Sequence, residues 1–149
     1  MSDGRVLVDT NILVYSVDRR DARKQKAAAA TLDELATAGL GVLSTQTLAE
    51  YYSALTSKSV LAEQLSSADA AHQVADYARS WAVVDVTPPI VLEAIEGVRR
   101  YRLAYWDAQI WAAAKLNQIE VIYSEDGPTG STIGGVRFVN PLDTVRATP

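Results

Sequence analysis

The stretch Val6–Asn11 has the sequence VLVDTN and decides how the chain begins to fold. Its three apolar residues form a short run that is typical of a buried β-strand, and Asp9, Thr10 and Asn11 follow as polar residues. We therefore predict a strand over residues 6–8, followed by a turn that leads directly into a helix.

The same order of a short strand and a helix repeats through the rest of the chain. We predict further strands over residues 41–43, 81–86, 121–123 and 136–139. Helices are predicted over about 21–38, 45–57, 67–80 and 105–118, and another begins at Thr87–Pro89 with Val91, Ile95 and Val98 as its buried stripe. Strands that alternate with helices favour an α/β fold whose mostly parallel sheet, of about five short strands, carries helices on both faces.

The overall composition is that of an ordinary globular protein, with 149 residues of which 48% are hydrophobic and 21% are charged. This length suits one domain, which we expect to span residues 1–149. No apolar run approaches the ~20 residues that a membrane span needs. Residues 1–8 lack the apolar middle and the cleavage site of a signal peptide, and cysteine is absent. We therefore expect a cytoplasmic protein with no disulfide and no membrane contact.

The charge balance is acidic, with a net charge of −4 and a pI of about 4.9. It argues against a protein that coats nucleic acid with a broad basic surface, but carboxylates grouped at a metal site would lower the pI of a nuclease in the same way. Basic residues are clustered locally in the run Arg19–Lys26 and at Arg99, Arg100 and Arg102, and a local patch can steer a phosphate backbone. We interpret Arg19–Lys26 as a solvated helix face, although RNA or an acidic partner segment can also use it.

The cluster of Arg99, Arg100 and Arg102 has two interpretations. Together with Tyr101 and Tyr105 it can bind RNA, through phosphate contacts and base stacking. It can equally be a solvated helix end whose cations complement the helix dipole. The sequence leaves both open.

Two aspartates come at the ends of predicted strands. Asp9 directly follows the first strand, and Asp126 comes shortly after strand 121–123. Ligands of open α/β sheets bind outside the carboxyl ends of the strands, so both aspartates are placed at the expected crevice. Each also has an ordinary structural alternative, since Asp9 can cap the helix after it and Asp126 can be a turn residue.

Asp107 gives a different signal, which comes from helical phase. On its predicted helix it shares a face with Ile110, Trp111 and Ala114, which are three, four and seven residues further on. A carboxylate on an apolar face points towards the protein, where an unpaired charge is costly. No lysine or arginine is in register on that face, so a metal ion is a suitable partner.

Helical phase does not decide the position of Glu50. It lies nearly opposite Leu48, Tyr52 and Leu55, which we interpret as the core side of its helix. The side of Glu50 carries small residues such as Thr47, which suit either close packing against the sheet edge or a solvent face. Both alternatives remain open at this point.

A pocket that holds several carboxylates needs a cation. Like charges raise one another's pKa, and a divalent ion removes that conflict. Mg²⁺ and Mn²⁺ prefer oxygen ligands, and Mg²⁺ combines one or two carboxylates with waters and substrate phosphate. The chemistry that this favours is phosphodiester hydrolysis by a metal-activated water, with a remaining carboxylate as the proton acceptor.

Five short motifs follow one another along nearly the whole chain. They are Val8–Asn11 (VDTN), Gln46–Tyr52 (QTLAEYY), Tyr105–Ile110 (YWDAQI), Ser124–Asp126 (SED) and Gly135–Pro141 (GVRFVNP). Each motif is weak alone, but five in order at compatible spacing are specific. Together they strongly resemble the PIN-domain family, in particular the VapC-type toxins of bacterial toxin–antitoxin pairs.

This resemblance implies a Rossmann-like α/β/α sandwich without a dinucleotide site. It also implies an endoribonuclease that depends on Mg²⁺ or Mn²⁺, forms a homodimer and is inhibited by a cognate antitoxin whose tail covers the active site. The implied catalytic and metal-binding residues are Asp9, Glu50, Asp107 and Asp126. The implied helpers, which hold a carboxylate or a water in place, are Thr10, Asn11 and Ser124.

The chain departs from the family pattern at two places. Ala104 stands where relatives often have a small hydroxyl residue, so the helix of Asp107 is expected to lack its usual cap. The loop Gly127–Gly130 is less polar than is common after the last acidic residue, which puts in doubt a further ligand or RNA contact from this loop, but not Asp126 itself. We interpret Glu125 as an exposed neighbour of Asp126.

Three other functions remain as alternatives. A PIN-type nuclease that processes RNA would use the same chemistry. A haloacid-dehalogenase-like phosphatase with Asp9 as its nucleophile usually has a second aspartate two residues on, where this chain has Asn11. The third alternative is a non-catalytic module that binds RNA or a partner, and the set of four carboxylates argues against it.

Overall fold

The computed structural model describes residues 3–57 and 65–146. In chain order, the elements are β1 (Val6–Val8), α1 (Thr10–Tyr15), α2 (Ala22–Ala38), β2 (Gly41–Ser44), α3 (Thr45–Thr56), α4 (Ser67–Ser80), β3 (Ala82–Val84), α5 (Pro88–Tyr101), α6 (Tyr105–Leu116), β4 (Val121–Tyr123), β5 (Thr132–Ile133), β6 (Val136–Val139) and α7 (Pro141–Arg146). Among these elements, no helix combines the length and the apolar character needed to cross a membrane.

The strands form one sheet in the order β3-β2-β1-β4-β6-β5. β1 pairs in parallel with both β2 and β4, and Leu7 lies opposite Val42 and Ile122. β3 and β6 extend the parallel part of the sheet, whereas β5 is antiparallel to β6 because a tight turn at Gly134 and Gly135, both with positive φ, joins them. The prediction of a mostly parallel sheet is confirmed, and β5 is a short additional strand that the sequence pattern does not predict.

β1 is buried on both of its faces. Leu7 belongs to one hydrophobic cluster, which also contains Trp111 of α6, whereas Val6 and Val8 belong to another, which contains Ile12 of α1. Successive residues of a strand face opposite sides of the sheet, so the two clusters lie on opposite faces. Helices α5 and α6 cover one face and α1 to α4 cover the other, which confirms the predicted three-layer α/β/α sandwich.

Two helices begin directly at the carboxyl ends of central strands. α1 follows β1 after Asp9, and α3 follows β2 after Ser44, whose hydroxyl accepts a hydrogen bond from the Thr47 N–H (3.1 Å). Such a cap satisfies one of the N–H groups that the first helical turn leaves free. Because β1 and β2 are parallel neighbours, the first turns of α1 and α3 lie side by side at the same sheet edge.

The predicted strand over residues 81–86 is shorter in the structure, because its two ends make other hydrogen bonds. Trp81 ends helix α4, since its N–H donates to the Tyr77 carbonyl (3.0 Å). The Val86 N–H donates to Thr45 Oγ1 (3.0 Å) instead of continuing the ladder. The strand β3 therefore covers Ala82–Val84 alone.

The predicted buried stripe of α5 is partly wrong. Val91 and Val98 are partly buried, but Ile95 is 43% exposed. The fully buried residues of this helix are instead Ile90, Ala94 and Gly97. The reason is the close packing of α5 against α6: a Cβ atom on Gly97 would lie 2.7 Å from the ring of Trp111. Close helix contacts bury small side chains, and the larger Ile95 is left on the outer surface.

The core side of α3 is also rotated from the predicted one. Tyr51 is fully buried, with its ring 5.7 Å from that of Tyr77, whereas Tyr52 is 42% exposed and is not the core residue that we predicted. Thr47 is buried, and its hydroxyl donates to the Val8 carbonyl (3.4 Å). The buried series Thr47, Tyr51 and Leu55 recurs every four residues, and this face packs into the protein.

Candidate functional site

Asp9 is held at the carboxyl end of β1 by contacts on both of its carboxylate oxygens. Oδ1 accepts a hydrogen bond from the Thr10 N–H (2.8 Å) at the start of α1, so Asp9 also has the capping role that we gave as its structural alternative. Oδ2 accepts a hydrogen bond from Ser124 Oγ (2.8 Å), just beyond β4. Because β1 and β4 are paired along their length, the position of Asp9 is fixed by the sheet itself.

Asn11 forms hydrogen bonds with both Ser124, which contacts Asp9, and Asp126. Its Nδ2 donates to Ser124 Oγ and to Asp126 Oδ2 (3.3 Å each), and its Oδ1 accepts the N–H of Glu125 (3.2 Å). The hydroxyl of Ser124 also accepts the Gly127 N–H (3.2 Å). The predicted helpers Asn11 and Ser124 therefore hold the loop after β4, and that loop carries Asp126.

Glu50 and Asp107 approach the same place from two helices. Glu50 lies on α3, one turn after Gln46, whose Nε2 donates to Glu50 Oε1 (2.6 Å) and to the Trp106 carbonyl (3.3 Å). Gln46 Oε1 in turn accepts a hydrogen bond from Gln109 Nε2 (2.9 Å), so the two helices are joined by this glutamine pair. Asp107 lies in the first turn of α6, and within residues 3–57 and 65–146 its carboxylate receives no hydrogen bond.

One pocket brings the four carboxylates together. It has a volume of about 420 Å³ and opens at the sheet edge where β1 and β4 end. Its walls are Asp9, Thr10, Asn11, Val14, Tyr15, Asp18, Arg20, Gln46, Glu50, Trp106, Asp107 and Asp126. We call it the carboxylate pocket. The sequence left open whether the side of α3 that carries Glu50 packs against the protein or faces solvent. In the structure, Glu50 lines this pocket.

The carboxylates of the pocket disfavour one another's charge. Burial raises the pKa of Asp9, and the charge of Asp126 adds to that rise, against the hydrogen bonds from Ser124 and Thr10. Burial also raises the pKa of Glu50 and that of Asp107, and each is raised further by neighbouring acidic residues that include Asp9. Groups that share one pocket and repel in this way are stabilised in their charged forms by a nearby cation.

The donors of the carboxylate pocket suit a hard divalent cation. Carboxylate, hydroxyl and amide oxygens are the ligands of Mg²⁺ and Mn²⁺, and the pocket has no thiolate or imidazole. Among the described residues, no three histidine, cysteine or acidic side chains are arranged to hold one ion directly. Thr10 Oγ1 is buried beside the pocket, and no described residue bonds to this hydroxyl. These residues fit an ion that keeps part of its water shell.

Glu125 differs from its prediction as an exposed neighbour of Asp126. Its side chain is only 18% exposed, and Oε1 accepts hydrogen bonds from Tyr15 OH (2.7 Å) and Lys24 Nζ (2.9 Å). Burial of a carboxylate requires such partners. Lys24 therefore belongs to a structural ion pair rather than to a wholly solvated helix face, as we had interpreted the run Arg19–Lys26.

A second pocket adjoins the carboxylate pocket. It has a volume of about 480 Å³, and it is lined by Thr45, Gln46, Ala49, Glu50, Val86, Trp106 and Gln109. We call it the Trp106 pocket. Gln46 and Trp106 belong to two of the five sequence motifs, but the sequence analysis assigned no function to either residue. Gln46 is four residues before Glu50, and this i, i+4 spacing was the available signal.

The arginine cluster lies outside both pockets. Arg99, Arg100 and Arg102 are exposed at the carboxyl end of α5, and none of them lines either pocket. The guanidinium of Arg100 lies over the ring of Tyr101 (5.5 Å). Their contact with RNA stays a prediction. Ala104 precedes α6 without a side-chain cap, as the sequence indicated.

The sequence and the fold both have known counterparts. The sequence model described as the PIN domain matches residues 6–127. No curated protein matches the chain in sequence.

Solved structures of similar fold include VapC20 of Mycobacterium tuberculosis, described as a sarcin-ricin loop cleaving toxin (21% identity over 83% of this chain and 91% of that chain, TM-score 0.62). A toxin–antitoxin complex from Klebsiella pneumoniae is similar too (20% identity, 91% and 97% covered, TM-score 0.59). So is DNA-bound VapBC from Salmonella typhimurium (16% identity, 95% and 99% covered, TM-score 0.63). Identities this low establish the shared fold, whereas the sequence match extends over most of the chain and includes all four carboxylates of the pocket. The chain therefore belongs to the PIN domain family.

Proposed function

We propose that this protein is a divalent-metal-dependent endoribonuclease that acts as the toxin of a toxin–antitoxin pair. The observation that carries the proposal is the convergence of Asp9, Glu50, Asp107 and Asp126 on one pocket. The toxin role and the antitoxin partner are supported by the similarity to VapC20, which is described as cleaving the sarcin-ricin loop, and to a toxin–antitoxin complex. An RNA-processing nuclease would use the same site, and growth inhibition separates the two roles.

The proposed ion is Mg²⁺ or Mn²⁺. The four carboxylates of the pocket would hold it largely through the waters of its shell, since no three acidic side chains of the described residues are arranged to bind one ion directly. When bound, such an ion lowers the pKa of a water and offsets charge on the phosphate in the transition state. Its positive charge also relieves the repulsion that raises the pKa of Asp9, Glu50 and Asp107.

The chain's own residues position the reacting groups. Ser124 and the Thr10 N–H fix both oxygens of Asp9, and Asn11 fixes Asp126, so these carboxylates need little rearrangement before reaction. We assign proton acceptance from the attacking water to Asp107. Burial raises the pKa of its carboxyl and no hydrogen bond from the described residues occupies it, and both properties suit a general base.

The phosphatase alternative lacks its second acidic group. Asn11 stands at that position, and its amide is engaged with Ser124, Asp126 and the Glu125 N–H. An amide cannot donate a proton as a carboxylic acid does.

We also propose that the protein forms a homodimer. This is in line with the exposure of the apolar side chains Leu92 (68%) and Ile95 (43%) on α5. Analytical ultracentrifugation would measure the oligomeric state.

The decisive test is the substitution Asp9→Asn. We expect the variant to lose cleavage of RNA in Mg²⁺ or Mn²⁺ by more than about 100-fold, since even an outer partner of a metal site is worth about 10–100-fold. Expression of the wild type should arrest growth, and the variant should relieve the arrest. Circular dichroism would verify the fold, and Glu34→Gln, an exposed residue on α2, is the matched control that should keep full activity. Cleavage by Asp9→Asn at the rate of the wild type would refute the proposal, and RNA cleavage without growth arrest would favour RNA processing.

A further inference from the structure

Trp106 is exposed to an extent that the packing of the protein does not require. It is 63% exposed, whereas Trp111 of the same helix is 1% exposed and Trp81 is partly buried. Trp106 directly precedes Asp107, and it lines both the carboxylate pocket and the Trp106 pocket. An exposed aromatic side chain between two pockets is available for a ligand.

The Trp106 pocket has both apolar and amide side chains in its lining. Ala49 and Val86 contribute apolar surface, and Gln46 and Gln109 contribute amide groups, of which Gln46 also lines the carboxylate pocket. Tyr105 supports this arrangement on two sides: its ring packs edge-on against Trp106 (5.0 Å between ring centroids), and its hydroxyl donates to Gln109 Oε1 (2.9 Å). An aromatic platform beside amides is the combination with which proteins bind unstacked nucleobases.

We propose that the Trp106 pocket is a subsite for one unpaired nucleobase, stacked on Trp106, of the nucleotide next to the phosphate that is cleaved. The inference rests on the proposed nuclease function. Its geometric support is continuity: Gln46, Glu50 and Trp106 form a wall common to both pockets, so a strand whose phosphate enters one pocket has its adjoining base at the other.

The charge of the pocket selects a base rather than a phosphate. Its charged lining residue is Glu50, which repels a phosphate group but not a neutral base. An aliphatic side chain of a partner protein would fill the apolar part but would not stack on Trp106, whereas a base presents a flat π-face to the indole. The substrate at this position is therefore single-stranded RNA or the loop of a folded RNA.

The test compares the wild type with Trp106→Ala and Trp106→Phe. A short unstructured oligoribonucleotide of mixed sequence is the probe, and a non-hydrolysable analogue of it is used, with Mg²⁺ present, for the binding measurements. We expect Trp106→Ala to weaken binding and to lower kcat/KM for cleavage by about 5- to 150-fold, the range that loss of one base–aromatic stack gives. Trp106→Phe should keep part of the affinity. The indole emission of the wild type should be quenched by the probe, and this quenching should be absent in Trp106→Phe.

The control for loss of an exposed apolar side chain is Leu116→Ala, since Leu116 is 41% exposed and lines neither pocket. Unchanged RNA affinity and kcat/KM in Trp106→Ala, with cleavage intact, would overturn the subsite and leave the nuclease function standing. Unchanged RNA affinity together with weaker binding of the antitoxin would also overturn it, in favour of a protein occupant. If the wild type neither binds nor cleaves RNA, both proposals fail.

Discussion

The two halves of the carboxylate pocket are built differently. Asp9 and Asp126 lie at strand ends and are tied by Ser124 and Asn11 into hydrogen bonds that cross from β1 to β4. Glu50 and Asp107 lie on separate helices: Glu50 accepts one hydrogen bond from Gln46, and Asp107 accepts none from the described residues. Asp9 is thus fixed on both oxygens at the sheet edge, and Asp126 is held by Asn11 on the loop after β4, whereas the position of the helix half depends on how α3 and α6 pack.

This difference indicates which carboxylates of the pocket are already in position before a ligand binds. Carboxylates fixed by several hydrogen bonds are preorganised, and they add little reorganisation cost to binding. Carboxylates with few partners keep rotamer freedom, which an ion or a substrate removes on binding. The strand half should therefore set the affinity for the ion, and the helix half should respond to it.

The largest effect in the comparison is expected for Ser124→Ala. Ser124 is fully buried, and loss of its hydroxyl leaves Asp9, Asn11 and the Gly127 N–H each without one partner. As a positioning residue for the ion, it should be worth about 10–100-fold in Mg²⁺ affinity or activity. Unfolding in urea should show a loss of about 1–3 kcal/mol. Calorimetric titration with Mg²⁺ measures the first effect, and Ser57→Ala, on the exposed end of α3, is the control. Unaltered affinity for the ion would show that the strand half is not what fixes Asp9.

An intermediate effect is expected from the ion pair of Lys24 and Glu125. This pair joins α2 to the loop that carries Asp126, and its side chains are 24% and 18% exposed. A double-mutant cycle with Lys24→Met and Glu125→Gln should give a coupling of about 0.2–1 kcal/mol in the free energy of unfolding. Activity should fall less than in Ser124→Ala, since the substitutions loosen one loop without touching Asp9. A loss of activity as large as that of Ser124→Ala would place the organising contacts on α2 instead.

The smallest effect is expected for the helix half of the pocket, where Asp107→Asn should change the thermal stability of the protein. The pKa of Asp107 is raised in the folded state, so the folded state binds this proton more tightly than the unfolded chain does. Its contribution to the free energy of unfolding is therefore present below the unfolded pKa of about 3.9 and is lost as pH rises through the folded pKa. Asp107→Asn should consequently raise Tm slightly at neutral pH, and the gain should shrink towards acidic pH. Calorimetry across pH measures this, and a lower Tm at neutral pH would contradict the assignment.

The effect of added Mg²⁺ on Tm tests whether Asp107 takes part in binding the ion. An ion that binds the folded state alone stabilises it by mass action. Mg²⁺ should therefore raise the Tm of the wild type more than that of Asp107→Asn. Equal shifts in the two proteins would show that Asp107 takes no part in holding the ion.

The sequence predicted the strand half of the pocket better than the helix half. The placement of Asp9 and Asp126 at one sheet edge follows from two short apolar strands, because local sequence sets where a strand ends. Helical phase predicted that Asp107 faces the protein, but not which neighbours it meets. Glu50 was undecided, because it sits at the border between the buried series of α3 and the solvent.

Other features depend on contacts between distant elements, which local patterns do not contain. The hydrogen bond between Gln46 and Gln109 joins α3 to α6, and the sequence around either residue does not predict it. Gly97 is buried because Trp111 packs against it, and that displaced the predicted stripe of α5. Tyr52 was taken as core on its hydrophobicity, although the packing of α3 turns Tyr51 inwards instead.

The sheet ends on both sides in very short strands. β3 has three residues and β5 has two, so neither edge offers a long row of free backbone groups. Such edges are poor templates for adding a strand from another chain, which protects the protein from edge-to-edge aggregation. We therefore expect a partner to be recognised by side chains on helices and around the pockets rather than by extension of the sheet, so that specificity among related partners would rest on those side chains.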